Sequence, residues 1–138
     1  MSSLILRTSV RFLTILLIIF AVFLFFRGHH SPGGGFGAGL VTGAAIGLYS
    51  LTYSVAEAQK VLRVDPRVLI MLGLLTALFS GWIGVLADKT FLTGIWWTLH
   101  LGELGEVELG TPLLFDLGVF LVVVGASHLI LMMLQESE

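Results

Sequence analysis

A chain of 138 residues that is 57% hydrophobic, 12% charged and has a mean hydropathy of +1.02 cannot cover a water-facing surface, because soluble domains carry about 25% charged residues. The formal net charge of −2, with no basic block, gives no footing for a nucleic-acid partner. The absence of cysteine excludes disulfides, thiol catalysis and thiolate metal sites.

Lipid is therefore the expected solvent, and the expected fold is all-α and integral to the membrane. Crossing the hydrocarbon core takes about 20 mostly apolar residues in a helix. Four stretches qualify within a single domain, approximately 5–26, 36–56, 68–87 and 112–134. Lipid offers the backbone no hydrogen-bond partner, so spans must be helices or a closed barrel. A run such as ILLIIFAVFLFF does not alternate as a barrel strand must.

The first span begins like a signal peptide, with Arg7 and Arg11 ahead of an apolar run over 12–26. Arg27-Gly-His-His follows it instead of a small-residue cleavage site, so it is expected to be a retained span. A glycine-rich connection, RGHHSPGGG, leads to the second span. Pro32 fixes one φ angle, and Gly33, Gly34 and Gly35 allow close backbone contact just before Phe36. Such a loop suits re-entry into the membrane where protein shields it. His29 and His30 are adjacent and point apart in most backbones, and the loop has no Cys, Asp or Glu to complete a metal site. The glycine spacing matches no phosphate-binding fingerprint, so neither metal nor cofactor is expected.

Along the second span Gly35, Gly39, Gly43 and Gly47 recur every fourth residue. Each costs about 1 kcal/mol relative to alanine in a helix interior, so the stripe needs a reason. In membranes, small residues at this spacing let another backbone approach closely. That backbone could belong to this chain or to a neighbour. The hydrophilic connection EAQKVLRVDPR occupies 57–67. The third span has a thinner small-residue stripe in Gly73, Ala77 and Gly81, with Gly84 beyond, and the fourth has Gly118 and Gly125. A tight bundle with little room for a central pore is expected.

The longer connection over 88–111 carries Trp96, Trp97 and His100, then Glu103, Glu106 and Glu108. Paired tryptophans suit the headgroup layer, so part of it is expected to lie along the membrane surface. Its glutamates fit a solvated acidic loop better than a device for drawing cations. The fourth span opens with Thr111 as its expected N-cap and Pro112 as its first helical residue. Asp116 then lies about 6–8 Å into the helix. It is either a carboxylate favoured by the positive helix N-terminus or a cation or proton relay near a membrane entrance. Ser127 shares its face. His128 lies near the other end, about 18 Å from Asp116 along the axis, too far to touch it. A hydrogen-bonded interfacial histidine is the plainer reading of it.

The interiors of the first three spans, over 12–26, 36–56 and 68–87, hold no Asp, Glu, Lys or Arg. A pump working alone needs an ionisable group near the midplane. Arg7, Arg11, Lys60, Arg63 and Arg67 fall on one side of a four-span chain, and Arg27 and Lys89 on the other. The positive-inside rule then puts both termini in the cytoplasm.

The segment RGHHSPGGGFGAGL, residues 27–40, resembles the signature of the MnhB/MrpB family, a small subunit of Mrp-type multisubunit sodium/proton antiporters. The pattern is shared with subunits of membrane-bound hydrogenases. LGTPLLFDLGVFLVVVG, residues 109–125, resembles the family's second signature. Gly81-Trp82 and the four-span layout also fit, and the likeness covers residues 8–134. His30 and Ala38 depart from the pattern, which has asparagine and glycine there. The resemblance implies a small, non-catalytic subunit in the cell membrane. Its partners would be the lipid bilayer and other integral membrane subunits of a complex that imports protons and exports sodium. It carries over Pro32, Gly33, Gly34, Gly35 and Phe36 from the first motif, and Thr111, Pro112, Asp116 and Gly118 from the second. Asp116, Thr111 and His128 are the candidates for an ion path. Gly39, Gly43 and Gly47 join the motif glycines as candidates for packing. Membership in the ion-pumping arm of a hydrogenase or complex-I-like enzyme is one alternative, and a small homodimeric exporter is another.

Overall fold

The structure, a computed structural model, describes residues 4–27, 34–86, 96–100 and 106–136. Its elements in chain order are α1 (Leu4–Arg27), α2 (Gly34–Thr52), α3 (Val55–Leu62), α4 (Pro66–Leu86), β1 (Trp96–His100), β2 (Glu106–Gly110) and α5 (Thr111–Glu136). Four helices are long and apolar enough to cross a membrane: α1, α2, most of α4 and most of α5. These are the expected spans, with ends shifted by a few residues. Loop 28–33, with Pro32 and Gly33, and Glu103 lie outside the described residues.

The spans stand in a row. α1 packs on α2, α2 on α5, and α5 on α4. α5 is the shared wall: its Asp116, Val123 and Ser127 side meets α2, while Gly118, Val122 and Gly125 meet α4. The small residues explain why the row is tight, since they lie against two opposite faces of one helix. The outer faces of α1 and α4 are apolar and open, with Phe12, Ile19 and Phe23 on one and Leu74, Phe79 and Trp82 on the other. Lipid tails or another apolar membrane surface are their natural solvent.

Two features go beyond the expected layout. The second span ends at Thr52, four residues early, because Ser54 starts a new helix. Its side chain accepts from the Glu57 backbone N–H at 3.1 Å, an N-cap that stabilises by about 1 kcal/mol. α3 closes at Arg63, a left-handed residue (φ 64°) whose N–H donates to the Gln59 carbonyl at 2.8 Å. α4 then starts at Pro66, with the Asp65 carboxylate accepting from the Arg67 N–H at 2.8 Å. The connection 57–67 is thus mostly a capped helix.

The second feature is an antiparallel hairpin inside the long connection. β1 pairs β2 in the register Trp96↔Gly110 through His100↔Glu106. Glu106-Val107-Glu108-Leu109 alternates polar and apolar residues, which is strand periodicity. β2 runs straight into α5 at Thr111.

Candidate functional site

The residues singled out by the sequence converge on the α2–α5 interface. Gly34 and Gly35 open α2 and are buried. Gly35 lies directly on the main chain of Asp116: a Cβ there would collide with the Asp116 carbonyl oxygen. The two signature segments, far apart in sequence, meet at this contact. One turn on, a Cβ on Gly39 would lie 2.7 Å from the Cβ of Val123. On Gly43 it would lie 2.7 Å from Ser127 Oγ, and on Gly47 3.8 Å from Leu131. The stripe is therefore a groove for α5 of the same chain, closest at its Gly35 end and looser at Gly47. Phe36 sits off this face, half exposed on the outside of α2.

Gly118 is used on the opposite side. It meets Gly73 and Ala77 of α4, and Gly125 meets the carbonyl oxygen of the buried Pro66, where a Cβ would lie at 2.7 Å. Thr111 and Pro112 are the first two residues of α5. Starting the helix at Thr111 instead of Pro112 is within the usual scatter of helix ends.

His128 is fully buried near the far end of α5. Its Nε2 lies 2.7 Å from Gln59 Oε1. The Gln59 Nε2 amide donates to the Val64 carbonyl at 2.9 Å, which fixes which end of the amide faces the ring. An oxygen facing Nε2 requires that nitrogen to carry the proton. Nδ1 is then the bare nitrogen, buried and, among the described residues, without a hydrogen-bond partner. Gln59 was missed by sequence reasoning because it lies in what looked like a hydrophilic connection. The signal that could have found it is the cap at Ser54-x-x-Glu57, which makes the segment a helix able to dock.

Four other buried or half-buried hydroxyls close on their own helices. Ser50 donates to Ile46 O at 2.7 Å, Thr52 to Leu48 O at 3.2 Å, Ser80 to Ala77 O at 2.7 Å and Ser127 to Val123 O at 2.7 Å. Such i−4 or i−3 bonds satisfy a hydroxyl without linking helices. Thr14 Oγ1 on α1 shares with His128 Nδ1 the condition of being buried without a partner among the described residues. Asp116 and His128 are brought onto one helix but not together. Among the described residues, no three His, Cys, Asp or Glu side chains come together as metal ligands.

Four apolar spans whose small residues are used for helix-on-helix contact define a multi-pass membrane protein. The chain matches a family model, the domain related to the MnhB subunit of Na+/H+ antiporter, over residues 5–129. It is 39% identical over 133 residues to the B-type Na(+)/H(+) antiporter subunit of Alkalihalophilus pseudofirmus, covering 96% of this chain and 92% of that one. It is 36% identical to the B-type Na(+)/H(+) antiporter subunit of Bacillus subtilis, covering 99% and 96%. Among solved structures, the Mrp complex from Dietzia sp. DQ12-45-1b superposes with a TM-score of 0.75 at 35% identity, covering 90% of this chain. The matched region is 13% of that much longer chain. The chain belongs to the MnhB family of antiporter subunits.

Proposed function

We propose that the chain is a non-catalytic packing member of a multisubunit Na+/H+ antiporter in the cell membrane, required for assembly and unable to exchange ions alone. The observation that carries this reading is the way α5 is held. Its two faces are packed against α2 and α4 through glycines, and the hydroxyls of Ser50, Thr52, Ser80 and Ser127 bond within their own helices. The open apolar faces of α1 and α4 are broad enough for further spans. The decisive experiment purifies the chain alone into liposomes and, separately, captures it from detergent-solubilised membranes. No Na+/H+ exchange by the chain alone, with other membrane subunits co-purifying, is the expected pair of results. Exchange by the isolated chain would overturn the reading.

The basic residues on the Arg7, Lys60 and Arg67 side favour cytoplasmic termini. The chain has no cysteine, so single cysteines placed at Lys60 and at Lys89 report the orientation by membrane-impermeant labelling. Labelling of Lys60→Cys from outside intact cells would reverse it.

A second reading concerns Asp116, which stands where the two signature segments touch. With Thr111 at the start of the same helix and His128 near its far end, it is the residue to place against a neighbour's ion path. The path would belong to the assembly, since about 18 Å of apolar helix separates Asp116 from His128.

A further inference from the structure

We propose that the α1 end carrying Arg7 and Arg11 is a binding site for the phosphate of an anionic phospholipid, with the acyl chains lying along α1. An open cavity of about 420 Å³ is lined there by Leu4, Arg7, Thr8, Arg11, Phe12 and Tyr53. Leu4, Arg7, Thr8 and Arg11 follow the i, i+3, i+4, i+7 spacing of one helix face. Tyr53, the residue that follows α2, forms the opposite wall. Its hydroxyl donates to the Arg7 carbonyl oxygen at 3.2 Å, and the Arg7 guanidinium lies 5.5 Å from its ring centroid. Tyr53 is itself stacked on Tyr49 with centroids 4.5 Å apart. The platform under Arg7 is thus fixed from two directions, leaving the guanidinium edges free for an anion.

Depth selects the ligand. Arg7 and Arg27 are twenty residues apart, about 30 Å along a helix, which is the thickness of the hydrocarbon core. Arg7 therefore stands at the headgroup level, and Arg11 one turn deeper, about 6 Å inside it. A guanidinium at that depth must reach back toward the interface or meet an anion there. Among the described residues neither Arg7 nor Arg11 has a carboxylate partner. A phosphodiester between them accepts charge-assisted hydrogen bonds from both. Phe12 and the apolar α1 surface below continue into the region that acyl chains fill. Basic pockets between spans are known recognition sites for anionic headgroups.

The test is native mass spectrometry of the purified antiporter complex containing the full chain, titrated with phosphatidylglycerol or phosphatidylcholine. Arg11→Gln is the main variant, because among the described residues the Arg11 side chain makes no hydrogen bond or ion pair, and the same spectrum reports whether the complex is intact. Arg7→Lys with Arg11→Lys keeps the charge but loses the forked geometry. The expected result is a retained phosphatidylglycerol that phosphatidylcholine does not match, reduced about tenfold by Arg11→Gln and less by the lysine pair. Equal retention of the two lipids, or unchanged retention in Arg11→Gln, overturns the proposal. Displacement by millimolar inorganic phosphate overturns the lipid source and assigns the site to a soluble anion. Loss of a neighbouring subunit in Arg11→Gln at constant lipid count overturns it in favour of a partner's carboxylate.

Discussion

Gly73 of α4 and Gly118 of α5 face each other reciprocally: a Cβ on either would lie 2.6 Å from the other's carbonyl oxygen. Neither carbonyl can swing aside as a side-chain tip could, because each belongs to a helix backbone. Gly73→Ala and Gly118→Ala are therefore each expected to destabilise the chain by about 1–3 kcal/mol, the usual cost of overpacking. Gly37 provides the control, since a Cβ there meets nothing within 4 Å, and Gly37→Ala is expected to be neutral or mildly stabilising. The thermal midpoint of the purified complex separates the three. Equal midpoints for Gly118→Ala and Gly37→Ala would show that the α4–α5 approach is looser than described.

Along the α2 stripe the expected effect falls with distance from Asp116. Gly35→Ala drives a methyl into the Asp116 main chain, while Gly47→Ala places one at 3.8 Å from Leu131, an ordinary contact. Gly35→Ala is expected to lower recovery of assembled complex severalfold, and Gly47→Ala to leave it unchanged. Quantitative blotting of the chain in complex fractions checks both. Similar recovery for the two would mean that the stripe is not graded.

Gln59→Leu is expected to strand His128. Its Nε2 would lose the 2.7 Å contact to Oε1, leaving both ring nitrogens buried and unpartnered, at a cost of about 1–3 kcal/mol. His128→Leu removes the ring but leaves the Gln59 oxygen without its donor. The double variant removes both polar ends, so its loss is expected to be smaller than the sum of the single losses. Denaturation midpoints of all four proteins complete the cycle. Strict additivity would show that the two side chains do not depend on each other.

The spans were legible because lipid leaves a chain few options: about 20 apolar residues without charge must be helical. The glycine stripes were legible too, since Gly35 to Gly47 has no local use and demands a close neighbour. Which neighbour was not legible, because a stripe records how near a backbone comes and not whose it is. Ser54, Arg63 and the hairpin were missed for a different reason. Their signals are caps and short alternations inside polar segments, which hydropathy passes over as connections. Gln59 was hidden with them, so His128 looked solitary when its partner lies 69 residues away in sequence.

Asp116→Asn keeps size and most hydrogen-bonding capacity while removing the charge. If the carboxylate only complements the positive start of α5, its loss weakens the helix by about 0.3–1 kcal/mol and leaves transport intact. If it borders an ion path of the assembly, exchange must fall far more than stability does, because no other carboxylate lies within the spans between Leu4 and Gln135 among the described residues. The expected outcome is normal assembly with Na+/H+ exchange in membrane vesicles reduced about tenfold, a change equivalent to about 1.4 kcal/mol in the barrier. Asp116→Glu, which restores the charge on a longer stem, is expected to recover part of that exchange. Assembly and exchange both at wild-type level in Asp116→Asn would take this residue out of the route and leave its role to the start of the helix.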